Sequence, residues 1–459
     1  MTATPVPVPP IPATRPGPAP GHGALAVALA GMASLAAAMG IGRFAFTPLL
    51  PLMLQGGTLT LAGGSWLATA NYLGYLAGAL VCMALPWQAR RRGRHWPAAR
   101  MARWGLVATT VLTLAMALPA AQAWPLLRFL AGLASAFVFL NVAAWCMARL
   151  VALGRAALAG LIFCGPGLGI LLTGLSASAM VAAGWNAAAG WAAFAALSAL
   201  LGVAAWPVLR EGEVAAAPPD AEPNAGPGSG SSGRGSVAGP ASVRQGAAAG
   251  GAHGAVSDRA GRRDAVLARS LLTAAYGLAG LGYIVTATFL PVIARAALPP
   301  GSAWVDLFWP IFGAGVALGA WLSTRTPAHW DRRRLLLAAY LVQAAAIGLG
   351  VAWPGAAGFA LGSLLLGLPF TAITFYALQE ARRIWPQASD SFAGLLTAAY
   401  GLGQIAGPPI VAWMLHHSAD PARGFTLGLG AAASALVLGA VLLAAMAWRW
   451  PQAAGQAAA

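Results

Sequence analysis

The sequence contains no lysine and has little charge of either sign. Of its 459 residues, 8% are charged and 59% are hydrophobic. A soluble domain usually carries about 25% charged residues, because it must present a wet surface. The apolar residues come in blocks of about 20, the length that crosses about 30 Å of hydrocarbon. These features argue against a soluble protein and predict a polytopic membrane protein.

Cysteine is scarce as well. Cys82, Cys146 and Cys164 all fall inside apolar blocks, so no disulfide framework is expected. The net charge of +16 would suit a nucleic-acid-binding protein. However, most of the arginines lie in short connectors between apolar blocks, where positive charge sets membrane orientation. We therefore expect the lipid bilayer, and no nucleic acid, as a partner.

Motifs for ATP use and catalysis are missing. The sequence has no Walker motif, so ATP does not drive this protein. The apolar blocks hold no Ser/His/Asp or Cys/His set, and all six histidines fall in predicted tails or loops. The adjacent pair His416 and His417, with Asp420 nearby, is a poor set for a single metal ion. We expect no enzyme, no cofactor and no metal site.

What the sequence does contain is twelve apolar blocks, arranged as six, a break and six. They predict an all-α polytopic membrane protein with 12 transmembrane helices in two pseudo-symmetric six-helix bundles. The predicted spans, numbered 1 to 12, are 25–54, 62–85, 101–121, 124–147, 155–178, 186–209, 270–293, 304–323, 333–353, 356–380, 391–415 and 425–448.

The segments between and around the bundles are low in complexity. Residues 1–23 are Pro-rich and predict a disordered tail, which precedes an N-terminal bundle at 24–210. Residues 211–268 are mostly Gly, Ala, Ser and Pro and predict a flexible linker. A second bundle at 269–449 and a tail at 450–459 follow. The first block is too long for a signal-peptide core, so no cleavage is expected.

Arginine placement sets the expected orientation. The loop between spans 2 and 3 holds six arginines, and the 4–5, 8–9 and 10–11 loops hold eight more. Loops on the opposite side hold only Arg295 and Arg423. By the positive-inside rule, both termini and the linker are expected in the cytoplasm. The expected location is a bacterial inner membrane.

The two halves repeat at an almost constant offset of about 240 residues. Matched positions are Gly42 with Gly282, Pro51 with Pro291, Gly74 with Gly315, Gly78 with Gly319, and Gly165-Pro166 with Gly407-Pro408. An even number of spans per half makes this a parallel repeat about an axis along the membrane normal. Transporters that move two halves around a midplane site have this plan.

Short motifs in both halves resemble the major facilitator superfamily. "RRRGR" (90–94) resembles its 2–3 loop signature through Arg91, Gly93 and Arg94, with Arg90 where the family has Asp, and Asp331-Arg332 is a partial copy in the 8–9 loop. Span 5 carries Gly165-Pro166-x-x-Gly169, which resembles the antiporter-associated motif. Span 4 carries Arg128, with Ala131 in place of the family's Gln.

More narrowly, "GIGRFAFTPLLPLM" (40–53), "NYLGYLAGAL" (71–80) and "YALQEARR" (376–383) resemble the YbfB/YjiJ-type subfamily. The resemblance implies a secondary transporter that works by alternating access, and it favours export by antiport. It also implies a coupling or gating role for Arg128. For Gly165, Pro166, Gly407 and Pro408 it implies a place between the two halves as hinges or seals, with close packing alone as the alternative. For Arg128, snorkelling to the membrane interface is the structural alternative.

Arg43 is the leading candidate for a substrate contact. Along one continuous helix it lies about 16 Å from the outer end of span 1, close to the midplane, and it shares a face with Thr47. An intramembrane charge is functional by default, so Arg43 is expected to bind an anionic group of the substrate. The alternative is structural: Arg43 bonds backbone carbonyls that Pro48 and Pro51 leave free. The repeat places Tyr283 at the matching position.

Other polar residues share helix faces and supply further candidate substrate contacts. Each of them alone also fits a bond to a neighbouring helix. They are Asn71 and Tyr75 in span 2, Asn141 and Trp145 in span 4, Thr374 in span 10, and Tyr400 and Gln404 in span 11.

No Asp or Glu falls in the middle of a predicted span. Asp306 lies near the outer end of span 8 and Glu380 at the inner end of span 10. Either could relay protons through a water-filled cavity, or transport is uncoupled or driven by exchange. Glu380 could also pair with Arg382 or Arg383.

The sequence therefore predicts a monomeric secondary transporter for a small organic anion or zwitterion. One alternative is efflux of neutral or cationic hydrophobic compounds, with Arg43 structural. Another is a non-transporting membrane sensor on the same fold.

Overall fold

In the residues that the computed structural model describes, every regular element is helical. The described residues are 23–91, 96–210, 250–299, 301–327, 329–386, 389–418 and 420–450. The α-helices are α1 Ala24–Leu35, α2 Phe46–Gln55, α3 Leu61–Arg91, α4 Ala98–Ala115, α5 Trp124–Ala152, α6 Ala159–Ile162, α7 Gly165–Ala182, α8 Ala187–Ala205, α9 Gly250–Ala297, α10 Phe308–Thr324, α11 Arg332–Ala352, α12 Ala356–Ile384, α13 Ser389–His416 and α14 Pro421–Arg449.

Within the described residues, eleven helical segments are long and apolar enough to cross a membrane. The predicted third span corresponds to α4, which packs on α5 and α8 but is not among the eleven. Arg100 and Arg103 in its first turns lower its mean hydropathy. The chain is a multi-pass membrane protein, with α4 completing the N-terminal bundle.

The predicted linker ends earlier than the sequence analysis placed it. Helix α9 begins at Gly250 rather than after residue 268, and its membrane-crossing part is Arg263–Ala297. The residues just before the predicted span 270–293, "DAVLAR" (264–269), include no Gly or Pro, so nothing there interrupts the helix. Residues 1–22, 211–249 and 451–459, which cover most of the predicted tails and linker, lie outside the described residues.

Span 1 is broken where a continuous helix was predicted. Helix α1 runs into a π-helical segment, Ala36–Ile41, and turns at 42–45 separate it from α2. The amides of Gly42 and Phe44 bond carbonyls five residues back, at Ala37 and Met39. Pro48 has no N–H, so the carbonyl of Phe44 cannot receive an i+4 bond; it accepts one from Thr47 instead, at 3.2 Å. Arg43 therefore sits in a turn inside the membrane.

The two halves pack in the same way, as the repeat predicts. In the N-terminal half, Gly74 and Gly78 of α3 lie against backbone of α5. Their repeat partners Gly315 and Gly319 of α10 lie against backbone of α12. Small residues allow such close helix approach in membranes.

The halves meet along two helix pairs and near Arg43. α7 packs on α10, with Gly167 of α7 directly against Gly313, and α3 packs on α13. Between α2 and α9, Thr47 Oγ1 donates to the carbonyl oxygen of Ala287 at 3.1 Å. Positions 47 and 287 are separated by 240 residues, the offset of the repeat, so this contact lies close to the pseudo-two-fold axis.

Candidate functional site

Arg43 lies between the two halves and is 3% exposed. Its guanidinium lies over the ring of Tyr75, with Cζ 4.1 Å from the ring centroid, and near the rings of Tyr72 at 5.2 Å and Phe44 at 5.4 Å. Its Nη2 donates a hydrogen bond to Oε1 of Gln404, which belongs to the other half. Ring faces and one neutral amide therefore surround this cation.

No carboxylate pairs with Arg43 in the part of the chain that the structure describes. Its Nε is buried and has no hydrogen-bond partner there. Nε and Nη2 form one edge of the guanidinium, the edge that a carboxylate can bridge with two parallel hydrogen bonds. In this conformation Nε of that edge has no hydrogen-bond partner among the described residues, and Nη2 donates to the uncharged amide oxygen of Gln404.

Gln404 connects the two positions that the repeat makes equivalent. Its Oε1 accepts from Arg43, and its Nε2 donates to Oη of Tyr283 at 2.6 Å. Arg43 and Tyr283 are 240 residues apart, like Thr47 and Ala287. The predicted asymmetric pair of Arg43 and Tyr283 is thus joined through one amide from α13.

Arg128 bonds backbone carbonyls in the break of span 1, a structural role similar in kind to the alternative for Arg43 but on different carbonyls. Its Nη1 and Nη2 donate to the carbonyl oxygens of Gly42 at 3.3 Å and Arg43 at 3.0 Å. These carbonyls lie in the break of span 1. Arg128 is 2% exposed, so it does not snorkel to the interface. It holds the turn that positions the Arg43 side chain.

Aromatic rings of the C-terminal half cluster around Tyr283, the residue that Gln404 bonds. Tyr400 lies between Tyr276 and Tyr283, with ring centroids 4.6 Å and 5.6 Å away and interplanar angles of 27° and 14°. Phe370 stands edge-on to Tyr283 at 4.9 Å and to Phe44 of the other half at 6.3 Å. We call Tyr276, Tyr283, Tyr400 and Phe370 the aromatic wall.

Five predicted contacts thus meet in one place: Arg43, Tyr75, Tyr283, Tyr400 and Gln404. The predicted contact Thr374 borders the wall, because its Oγ1 accepts from Oη of Tyr276 at 3.0 Å.

The other predicted contacts are engaged elsewhere. Thr47 contributes to the contact between the halves described above. Asn71 donates to the carbonyl oxygen of Arg128 at 2.9 Å, which joins α3 to α5. Asn141 donates to the carbonyl oxygen of Phe137 in its own helix. Trp145 packs on an apolar cluster within the N-terminal half.

The Gly-Pro motifs pack helices within each half rather than between halves. A Cβ at Gly165 would overlap the carbonyl oxygen of Met32 in α1, and one at Gly407 would overlap Ile284 in α9. Pro166 and Pro408 are buried beside them. Gly167, two residues beyond the first motif, makes the contact across the halves.

Glu380 is held in a buried ion pair at the arginine-rich side. Its Oε1 lies 2.6 Å from Nε of Arg333 and 2.8 Å from Nη2 of Arg383. Arg333 also donates to the carbonyl oxygens of Met446 and Trp450, which ties α11 and α12 to the end of α14. This arrangement ties three helices together at one end of the C-terminal bundle.

Asp306 is ion-paired with Arg295 at the opposite side, and both are partly exposed. In the loop motifs, Asp331 caps α11 by accepting from the amide of Arg333 at 2.9 Å, and Arg332 begins that helix. Arg91 is the last residue of α3. Gly93 and Arg94 lie outside the described residues.

A groove of about 860 Å³ lies between α4 and α5, away from Arg43. Among its lining residues, Trp104 is 68% exposed and Val111 is 56% exposed. Such side chains face lipid in a membrane, so we assign this groove to lipid contact.

Sequence reasoning missed Tyr276, Phe370 and Arg333. Tyr276 had a signal, because it is seven residues before Tyr283 and therefore lies on the same helix face. Phe370 is one of many apolar residues in its span, and nothing local marks it. Arg333 stands in a run of three arginines that look alike in the sequence. It is buried in the structure because α11 begins at Arg332, which places position 333 on the inner face of the helix.

Comparison with known proteins decides the family. A family model described as "uncharacterised MFS-type transporter YbfB" matches residues 35–229 and 242–444. The chain belongs to this family of the major facilitator superfamily. Its two matched segments correspond to the two helical bundles, and the resemblance drawn from the short motifs is confirmed.

Solved structures share the fold at low sequence identity. The nucleoside transporter NupG is 14% identical with a TM-score of 0.60, covering 93% of this chain and 99% of its own. The D-xylose-proton symporter is 15% identical with a TM-score of 0.63, covering 92% of this chain and 96% of its own. No curated protein matches the chain by sequence. The predicted fold class is confirmed, and the relatives are transporters rather than enzymes.

Proposed function

We propose that this protein is a secondary active transporter that carries a small organic anion across the membrane by alternating access. The observation that carries the proposal is Arg43, a buried cation between the two halves with no carboxylate partner among the described residues. A charge at the centre of a bilayer costs about 2.5–3.5 kcal/mol on insertion scales. A carboxylate from the cargo would offset that cost through charge-assisted hydrogen bonds.

Gln404 would hold the place of the cargo when the site is empty. Its amide oxygen lies on the edge of Arg43 where a carboxylate would bind, and it comes from the opposite half. A carboxylate that bridged Nε and Nη2 would displace it. Cargo binding would then exchange a bond between the halves for a stronger bond to the cargo, which links occupancy of the site to movement of the halves.

We further propose exchange of one anion for another as the mode of transport. Glu380 and Asp306, the two acidic residues considered for proton relay, are both engaged in ion pairs. Direction follows the expectation from the span 5 motif, which favours export by antiport. Proton-coupled export is the alternative. The similarity to the nucleoside transporter and the D-xylose-proton symporter supports the fold of this protein, but it does not bear on which cargo this protein carries.

The proposed setting is a bacterial inner membrane with a monomeric carrier. The arginine-rich side, with both termini, would face the cytoplasm.

Counterflow in proteoliposomes tests this function. Vesicles loaded with an unlabelled carboxylate and diluted into a trace of the labelled acid, without a pH gradient, should accumulate label transiently in wild type. Arg43→Gln should abolish accumulation. Gly348→Leu is the control, because Gly348 is exposed and a Cβ added there would meet nothing within 4 Å. Counterflow of neutral or cationic solutes alone would contradict the proposed charge, and counterflow of none would favour the sensor.

A further inference from the structure

The seven tyrosines of this chain are distributed unevenly. Five of them gather around the centre of the molecule: Tyr72 and Tyr75 contact Arg43, and Tyr276, Tyr283 and Tyr400 form the stack opposite. The chain is rich in Leu, Val and Ala, which would suffice to enclose an aliphatic solute. Aromatic rings are therefore concentrated at the site beyond what a hydrophobic lining requires.

The position of Gln404 shows where the body of a bound acid would lie. Its Oε1 marks one oxygen of a carboxylate on Arg43, and its Nε2 touches Oη of Tyr283. Whatever is attached to that carboxylate would lie next to Tyr283, and so near Tyr400 and Phe370, whose rings contact that of Tyr283. Phe370 is half-buried and stands edge-on to Tyr283, to Phe44 and also to Phe312 at 6.1 Å.

We propose that the cargo is an aromatic carboxylate, with its carboxylate on the Nε–Nη2 edge of Arg43 and its ring against the aromatic wall. This inference rests on the proposed function and specifies its substrate class. Offset-stacked and edge-to-face ring pairs contribute beyond the area they bury. The wall already makes both kinds of contact among its own members, so a further ring fits its geometry. The hydroxyl of Tyr283, which accepts from Gln404, would be able to bond the cargo once Gln404 is displaced.

The test compares benzoate with cyclohexanecarboxylate, which has the same charge and similar size but a saturated ring. Binding to purified protein is measured by calorimetry for wild type, Tyr400→Phe and Tyr400→Leu. We expect benzoate to bind wild type about 2- to 10-fold more tightly than the saturated acid. Tyr400→Phe should keep that preference, and Tyr400→Leu should lose it while still binding cyclohexanecarboxylate.

Phe375→Leu is the control for loss of a ring, because Phe375 is 38% exposed on α12. It should keep the benzoate preference. Equal binding of both acids to wild type, dependent on Arg43, would overturn the aromatic class and leave the anion transporter standing. If wild type bound none of benzoate, cyclohexanecarboxylate and acetate in a way that depends on Arg43, both the aromatic cargo and the anion transporter would be overturned.

Discussion

At the scale of single residues, two buried arginines in one membrane bundle have different tasks. Arg128 donates to two backbone carbonyls in the break of span 1. Arg43 donates to one neutral side chain and keeps a buried Nε free. Both residues were identified from the sequence, but which of them binds backbone and which binds cargo could not be decided. The break in span 1, on which that difference depends, was not predicted. Binding was favoured for Arg43, with bonding of the carbonyls freed by Pro48 and Pro51 as the alternative. In the structure Arg128, not Arg43, bonds backbone of the break, and it bonds two other carbonyls, those of Gly42 and Arg43.

This difference predicts opposite effects on stability. Arg128→Gln should lower the melting temperature by several degrees, because a Gln is too short to reach both carbonyls and hydrogen bonds to charged donors contribute about 1.5–3 kcal/mol each. Arg43→Gln should leave the melting temperature unchanged or raise it, since it removes an unpaired buried charge. Thermal unfolding in detergent measures both. A large loss of stability in Arg43→Gln together with a mild one in Arg128→Gln would reverse the assignment.

At the scale of helices, glycines separate packing within a half from contact between halves. Gly165 lies against α1 in its own half, and Gly167, less than one turn further along α7, lies against α10 of the other half. The span 5 motif was recognised from sequence, yet its first glycine is not the one at the interface. Helix periodicity gives the faces of α7 but not which neighbour each face meets.

Leucine substitutions at these positions should therefore differ. Gly167→Leu should leave folding and expression largely intact but strongly reduce counterflow, because the side chain would block approach of α7 to Gly313 and Ala317. Gly165→Leu should lower thermal stability and counterflow together, and Gly348→Leu should change neither. Expression, melting temperature and counterflow are measured for all three. If Gly167→Leu were the unstable variant and Gly165→Leu the stable but inactive one, the helix contacts described here would be wrong.

At the scale of the whole molecule, the sequence predicted more of the fold than of the site. Hydrophobic blocks, arginine-rich loops and the 240-residue offset predicted two six-helix bundles. The thickness of the membrane fixes the length of each apolar span, and the internal repeat of the two halves is readable in the sequence. The site depends on contacts between residues hundreds of positions apart, such as Arg43 with Gln404. Five predicted contacts meet there, whereas Asn71, Asn141 and Trp145 bond or pack within their own half.

The central claim is that Arg43 holds an anionic cargo between the halves. Its most direct test is a thermal-shift screen of wild type and Arg43→Gln against matched anionic, neutral and cationic compounds. Each carboxylate is paired with its amide, which keeps nearly the same size and shape but carries no charge. We predict that carboxylates stabilise wild type, that their amides do not, and that Arg43→Gln responds to neither. Equal responses of both proteins, or stabilisation by hydrophobic cations alone, would contradict the claim and favour efflux with Arg43 as a structural residue.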